Sequence, residues 1–225
     1  MTGYSVTDFQ ITAQIIFEGY NKTMSGPEPF KLHAEHPALE LVNTLDMRFS
    51  AATIELIPTY KDLLRLTTQL KLLTADQSRR LLRTVDEKTA QRVLASTMEL
   101  REALAVVLYG RIDGSKLPGA DVEILKRHFR AAAVHRQLVA DGSHWYWSWS
   151  GLERNAEIPL WMLAQAAADL LVSSDAEFIK DCGDPTCRWL FLDTSKNHTR
   201  RWCDMKTCGN RMKARRHQAR YQGAS

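Results

Sequence analysis

The sequence lacks the features that mark membrane-spanning, exported and many catalytic proteins. No stretch approaches the about 18 uninterrupted apolar residues of a spanning helix, since even segment 158–172 is broken by Gln165 and Asp169. The N-terminus has no basic segment leading into an apolar core, so we expect a cytoplasmic protein. There is no glycine-rich phosphate loop, no Gly-x-Ser-x-Gly motif and no histidine paired with a nucleophile, so we expect no enzyme and name no catalytic residue.

The bulk composition is that of an ordinary globular protein. Of the 225 residues, 44% are hydrophobic and 25% are charged, which argues against a disordered or fibrous chain. The net charge of +4 is too small, taken as an average, to indicate a nucleic acid or membrane partner. The length suits one large domain, or a medium domain with a small appendage.

Cysteine and positive charge are both concentrated at the C-terminal end of the chain. Residues 1–180 contain no cysteine and carry 20 Lys and Arg against 22 Asp and Glu, a net charge of −2. Residues 181–225 contain all four cysteines and carry 10 basic residues against 4 acidic ones, a net charge of +6. We therefore distinguish a body from a C-terminal cysteine module, with the boundary near residues 174–181.

Apolar periodicity predicts a mostly helical body with one small antiparallel hairpin. Asp141-Gly142 is a turn signal that joins strands over 134–140 and 144–150. Thr74 with Gln77 forms a capping box, which opens a short helix. Four further helices are predicted. One starts near Pro58, one runs from Asp86 to a stop at Gly110, one starts near Asp121, and one covers 158–172.

Two N-terminal segments are harder to interpret. Phe9, Ile11, Ala13 and Ile15 alternate like a strand before Gly26-Pro27 breaks the pattern, so residues 1–30 form an arm or accessory strands. The apolar run 39–45 has a period that does not decide between strand and helix.

Three tryptophans alternate along the second strand of the predicted hairpin, which places them on one face. Such a face either covers the helical core or forms the aromatic wall of a small-molecule pocket. In the second interpretation the candidate pocket residues are Asn43, Trp145, Trp147 and Trp149.

The four cysteines form two pairs with the same spacing, Cys182-x4-Cys187 and Cys203-x4-Cys208. Zinc binds four thiolates in a tetrahedron, so the two pairs predict a structural zinc site. The absent export signal argues against disulfides, and neither pair has the Cys-x-x-Cys spacing of thioredoxin-like centres. His198 or His217 could replace one cysteine in a mixed site, although four cysteines already complete the shell.

The residues around the two pairs predict the order hook, hairpin, hook, helix. Segment 188–193 is strand-like, 194–197 has turn chemistry, and 199–202 returns toward the second hook. Residues 210–221 contain helix formers with no proline or glycine. This arrangement is that of treble-clef zinc modules.

The predicted C-terminal helix is strongly basic and contains no acid. Such a helix repels itself unless it meets a polyanion, and phosphate contacts supply most of the affinity of nucleic-acid binders. A solvated basic tail is the alternative, while the lack of a large apolar face argues against a membrane surface. The candidate nucleic-acid contacts are Arg200, Arg201, Lys206, Arg211, Lys213, Arg215, Arg216 and Arg220.

The segment from Cys182 to Arg216, with its tetrad Cys208-Gly209-Asn210-Arg211, resembles the CGNR zinc-finger family of bacterial proteins. The upstream sequence Leu-Glu-Leu-Val-Asn-Thr at 39–44 resembles the motif that opens the ABATE domain, which normally precedes this finger. Arg188 and His198 depart from the family pattern without touching a ligand position.

The resemblance implies an α+β fold, with a mostly helical ABATE-like domain over 31–174 and a treble-clef-like zinc finger over 181–221. It implies a stress-induced transcription regulator with one structural Zn²⁺ per chain. The resemblance also implies that the basic helix binds DNA. The implied metal ligands are Cys182, Cys187, Cys203 and Cys208.

The leading hypothesis is therefore a one-component transcription regulator without a membrane partner. The body senses a small-molecule effector or mediates homodimerisation, and the finger places its basic helix against duplex DNA. One alternative is an RNA-binding module in which Trp189 or Trp202 contacts single strands. Another is an enzyme with its pocket in the body.

Overall fold

The computed structural model describes residues 29–152 and 154–222. The strand-like alternation predicted for residues 9–15 lies outside the described residues, as does nearly all of the predicted arm over 1–30. The fold class is confirmed, because a mostly helical body with small antiparallel sheets precedes a module that gathers the four cysteines. Among the described helices, none combines the length and apolar character that crossing a membrane requires.

The body is built on helices, and the described residues form these in chain order: α1 (Pro37–Asn43), α2 (Tyr60–Gln69), α3 (Ala75–Thr84), α4 (Glu87–Ile112), α5 (Gly119–His135) and α6 (Ile158–Val172). A 3₁₀ turn over Ser174–Phe178 follows α6. The ambiguous run 39–45 is therefore mostly helix. Pro37 occupies the first turn of α1, where the missing N–H of proline costs no intrahelical bond.

Side chains fix where several helices begin. Thr59 caps α2, and Asp86 caps α4 by accepting from the Thr89 N–H. The predicted capping box of α3 is confirmed, since the Thr74 side chain accepts from the Gln77 N–H and Gln77 returns the bond. The predicted bounds of α6 also agree with the structure.

The predicted end of α4 at Gly110 is wrong, because the helix continues to Ile112. A glycine inside a helix costs only about 1 kcal/mol relative to alanine. Ile112 packs against the core, and this burial offsets that cost. The helix ends instead beside Gly114, whose φ of 68° is a left-handed conformation that glycine adopts without strain.

The core lies where α4 and α6 meet, with α1, α2 and α5 packed around them. The apolar stripe of α4 is buried, including Leu100 and Leu104, which have no exposed surface. Trp161 of α6 is only 2% exposed, and the His135 ring stacks on it at a centroid distance of 3.7 Å. This packing fixes the end of α5, from which the hairpin leaves.

All three sheets of the described residues are antiparallel and two-stranded. The first pairs β1 (Leu45–Asp46) with β2 (Ile54–Glu55). The second is the predicted hairpin, β3 (Arg136–Asp141) with β4 (His144–Trp149), turning through Gly142 at φ 57°. It starts later than predicted because Val134 and His135 still belong to α5. The third pairs β5 (Ile179–Asp181) with β6 (Leu190–Leu192).

The third sheet corrects the predicted hairpin of the cysteine module, taken from here on as residues 179–222. Segment 199–202 was expected to be the partner strand, but it forms no strand and β5 pairs with β6 instead. The backbone of 199–202 is used elsewhere: the Arg201 carbonyl accepts from Gly183 N–H at 2.9 Å, and Arg200 N–H donates to Asp193. The first cysteine pair therefore lies in the loop of the β5–β6 hairpin.

Every residue of the 39–44 motif is buried, and each polar member has a partner. Glu40 accepts from the Ala34 N–H at 2.7 Å, and burial raises the pKa of its carboxyl to about 7. Thr44 donates to the Leu41 carbonyl and accepts from Arg101 at 3.0 Å. The motif thus shapes the packing of α1 rather than exposing a polar site.

Asn43 joins the body to the cysteine module by two hydrogen bonds. Its Nδ2 donates to the Leu190 carbonyl, and its Oδ1 accepts from the Leu190 N–H, both at 2.9 Å. Nearby, Trp189 Nε1 donates to Asp46 at 2.7 Å, and the Leu192 N–H donates to the Ala34 carbonyl. The amide of Asn43 therefore acts as a bracket between α1 and β6.

We predict that Asn43→Ala destabilises the protein by about 3 kcal/mol, because it leaves a buried N–H and a buried carbonyl of Leu190 without partners. Urea denaturation followed by tryptophan fluorescence measures the change in the free energy of unfolding. The exposed Asn197→Ala is the control and should cost less than about 0.5 kcal/mol. Equal costs for the two variants would contradict the bracket.

Candidate metal centre and basic helix

The structure brings the four predicted metal ligands together. One sulfur atom from each of Cys182, Cys187, Cys203 and Cys208 lies within 4.8 Å of the others. The Cys187 and Cys203 sulfurs are 3.6 Å apart, and those of Cys203 and Cys208 are 3.7 Å apart. A tetrahedron with metal–sulfur bonds of about 2.3 Å has edges of about 3.8 Å, so the cluster fits a four-thiolate metal ion.

The competing interpretations of the cysteines do not fit this geometry. All four are free, at separations well beyond the about 2.05 Å of a disulfide bond. His198 does not join the cluster, since its ring stacks on Phe178 and its Nδ1 lies 2.7 Å from the Asp193 carbonyl. His217 packs near Tyr221 at the other end of the basic helix. The mixed site with histidine is therefore wrong.

The crowding of the thiols also points to a cation. Hydrogen bonding with Cys182 and Cys187 raises the pKa of the Cys203 thiol, and burial raises the pKa of the Cys208 thiol. Ionising all four in so small a volume is unfavourable without a compensating charge. A divalent cation supplies that charge, and its binding would displace the remaining protons.

Both cysteine loops are shaped by an aspartate and a threonine. In the first, Asp184 accepts from the N–H and the hydroxyl of Thr186 at 3.1 and 2.8 Å. In the second, Asp204 accepts from the N–H and the hydroxyl of Thr207 at 2.9 and 2.8 Å. These bonds turn each backbone so that its two sulfurs face the same point. The sequence signal was a threonine directly before the second cysteine of each pair, which the sequence analysis missed.

The glycine of the Cys-Gly-Asn-Arg tetrad is required by close packing. A Cβ at Gly209 would lie 2.4 Å from the Met205 sulfur and 3.2 Å from the Trp202 ring. Both side chains would have to move to admit it. Trp202 covers the cysteine cluster, so such a shift would disturb the metal centre.

The basic helix α7 (Asn210–Gln222) follows a short π-helical turn over Met205–Gly209 and is almost entirely exposed. Arg211 and Arg215, one turn apart, place their guanidinium groups 3.0 and 3.2 Å from the carboxylate of Asp184. Asp184 has no exposed surface, whereas both arginines are nearly half exposed. Asp184 therefore ties the first cysteine loop to α7, a role that the sequence analysis did not assign.

The eight predicted nucleic-acid contacts separate into two groups. The first group has structural partners. Arg200 donates to Glu35 at 2.6 Å and to the His33 carbonyl at 2.8 Å, so it holds the module to the body. Arg211 and Arg215 hold α7 to Asp184. The other five are exposed, and none forms an ion pair with any residue that the structure describes. These five, called the outward cations, are Arg201, Lys206, Lys213, Arg216 and Arg220.

The four candidate pocket residues are not together. Asn43 is buried in the bracket, and Trp145 is 68% exposed away from any described cleft lining. Trp147 and Trp149 line a cleft of about 730 Å³, which they share with Tyr146 of the opposite strand face. Trp147 is 57% exposed, so the interpretation in which the tryptophans cover the helical core is wrong for Trp145 and Trp147.

We predict that Asp184→Asn loosens α7, because asparagine can still accept from Thr186 but no longer attracts Arg211 and Arg215. Amide hydrogen exchange over 210–216 should accelerate about tenfold, equivalent to about 1.4 kcal/mol. The matched control is Asp204→Asn in the second loop, since asparagine caps a helix about as well as aspartate and no arginine in the described part of the chain pairs with Asp204. Similar exchange rates in both variants would contradict the role of Asp184.

The comparisons with known proteins agree with this organisation. The ABATE family model, described as "putative stress-induced transcription regulator", matches residues 35–174. The CGNR zinc finger model matches residues 179–221, which include all four cysteines and α7. No curated protein matches the chain. Because the ABATE match covers more than half of the sequence, the chain belongs to the ABATE family and carries a CGNR zinc finger behind that domain.

Proposed function

We propose that this protein is a transcription regulator that binds duplex DNA through α7. The supporting observation is the set of outward cations, which have no ion pair among the described residues and three of which, Lys213, Arg216 and Arg220, lie on a helix without one acidic residue. Cations without protein partners bind phosphates at low cost, because no existing ion pair has to break. Releasing the counterions condensed on DNA then drives the association.

The orientation of α7 about its own axis determines which sides of the helix carry the available cations. Arg211 and Arg215 face Asp184, so the helix is held by one side against the first cysteine loop. Arg216 and Arg220 lie one turn apart on an adjacent row, and Lys213 is exposed as well. One side of the helix thus positions it, while the other sides remain available for a DNA groove or backbone.

Duplex DNA is favoured over single-stranded RNA by the state of two tryptophans. Trp189 donates its indole N–H to Asp46 at the junction with the body, and Trp202 packs against the cysteine cluster. Both are half-buried, so neither offers a free ring to an unstacked base. Competition between a duplex and a single strand at fixed salt concentration distinguishes the two partners.

We also propose that the body is a regulatory rather than an enzymatic domain, acting as sensor or dimerisation unit. The cleft beside Trp147 and Trp149 gives it room for a small-molecule effector. Selection of duplexes from a random pool reports the oligomeric state, since an inverted repeat is what a two-fold homodimer recognises. A single unrepeated site would indicate that a monomer binds.

We predict that the double substitution Arg216→Ala and Arg220→Ala weakens DNA binding and flattens its salt dependence. Each lost phosphate contact reduces the slope of log K against log[salt] by about 0.9, so the slope should fall by up to about 1.8. Fluorescence anisotropy titrations at several salt concentrations measure it. The control replaces Arg83 and Arg130, which are exposed on the body. An unchanged slope would refute α7 as the DNA-binding element.

The metal is proposed to be Zn²⁺ in a structural role, because four buried or half-buried thiolates leave no open coordination position. We predict about one zinc per chain by elemental analysis of the purified protein. Cys203→Ser should lose the metal and DNA binding together, because the apolar core of the module is too small to keep it folded without the metal. Ser143→Ala, in the β3–β4 turn, should keep both. Full zinc content in Cys203→Ser would contradict the four-cysteine site.

A further inference from the structure

The cleft in the body has three walls of different origin. Trp147 and Trp149 of β4 form the aromatic wall, Leu72 and Leu73 between α2 and α3 form the second, and Met162 of α6 contributes to the third. The volume of about 730 Å³ is in the range of small-molecule sites, and the lining is mostly apolar. A ligand here would be flat and largely hydrophobic.

One charged group on the lining stands out. Arg136 is half-buried on β3, and the carbon of its guanidinium lies 4.4 Å from the centre of the Trp147 ring. Within the described residues, no carboxylate lies at ion-pair distance from it, although many other arginines of the body are paired. The stacked ring holds the guanidinium plane in place while leaving its N–H groups available.

No other polar residue of the lining forms an ion pair with Arg136 in the described part of the chain. Asp169 is an acid on the cleft wall, and one of its oxygens accepts from Gln165 Nε2 at 2.8 Å. His36 is largely uncharged at neutral pH, because burial lowers its pKa to about 4. The guanidinium of Arg136 is therefore available to an anionic ligand in the cleft.

We propose that this cleft binds a planar aromatic carboxylate of one or two rings. The carboxylate would meet the N–H groups of Arg136 in a bidentate pair, and the rings would stack beside Trp147 and Trp149. The inference deepens the proposed function, since it gives the chemical class of effector that an ABATE-type regulatory body would sense. Its binding step, however, involves neither the metal nor DNA.

The test is calorimetric titration of the zinc-loaded full chain with 2-naphthoate, with the neutral 2-naphthamide and with the cationic 2-naphthylmethylammonium. These probes share one ring system and differ in charge. We expect the carboxylate to bind about tenfold or more tightly than the amide, and the cation to bind most weakly. Equal affinities, preferred binding of the cation or no binding at all would overturn the proposal.

Two matched pairs of variants locate the site. Arg136→Gln should reduce the affinity for naphthoate about tenfold and leave the affinity for naphthamide unchanged. Arg130→Gln, at an exposed position of α5, should change neither affinity. Trp147→Ala should weaken both probes, and Trp145→Ala, on the same strand face but outside the cleft, should weaken neither. Thermal melting confirms that each variant is folded. Unchanged binding in both Arg136→Gln and Trp147→Ala would place the ligand elsewhere.

The outcome is separable from that of the proposed function. Titrations without DNA test the cleft, and titrations of the outward cations with DNA test α7. A protein that binds DNA but not naphthoate would refute the cleft assignment alone. A protein that binds naphthoate but not DNA would refute the DNA-binding role of α7 and leave the cleft assignment intact.

Discussion

The cysteine module depends on four sulfur atoms that cannot all be ionised unless a cation joins them. Ile179, Leu190 and Leu192 of the module pack into the core of the body, which leaves the cysteine cluster with Phe191 and the half-buried Trp189 and Trp202. This is too small a core to fold a chain of this length. A metal ion bound by the four cysteines would therefore supply much of the folding energy of the module, as in other small metal-dependent domains. The consequences extend outward, because the first cysteine loop also carries Asp184, whose carboxylate pairs with Arg211 and Arg215 of α7.

Positive charge in the module serves two purposes, and helix geometry separates them. Arginines four residues apart share one row, so a single buried carboxylate at Asp184 meets both Arg211 and Arg215. These ion pairs would be weak at the surface, but the carboxylate has no exposed area and needs both partners. The cations on the neighbouring rows of α7 form no ion pair with any residue that the structure describes. A high positive charge on a helix thus overstates how many of its residues are available to a polyanion.

Much of the fold was predictable because its signals are local. The capping box at Thr74, the bounds of α6 and the turn at Gly142 each follow from residues within a few positions of one another. Four cysteines in two equal spacings were also sufficient to predict that the four sulfurs gather in one cluster. Such signals do not depend on how distant segments meet.

The features that sequence reasoning missed depend on distant partners. Asn43 and Leu190 are 147 positions apart, so nothing near Asn43 distinguishes a bracket from a ligand contact. The strand that pairs with β6 was misassigned because 179–181 and 199–202 lie at similar distances from it in sequence. Only the bonds made by Gly183 and Asp193 exclude the second segment. The division of the cations into two groups likewise depends on Asp184, whose position beside Arg211 and Arg215 is seen only in the folded structure.

Helix α1 connects the two ends of this molecule. His36 and Pro37 at its start belong to the cleft lining, while Asn43 at its end is hydrogen-bonded to the strand that leads into the metal centre. Continuity of this kind does not by itself transmit a signal, since coupling requires two arrangements that a ligand binds with different affinity. The bracket is suited to such a choice, because both of its bonds are made by one side-chain amide. It is not the whole connection, since Trp189, Leu192 and Arg200 also bond the module to the body. A ligand that shifts the start of α1 would therefore act on the finger through these bonds together, and removing the amide of Asn43 would weaken the coupling rather than abolish it.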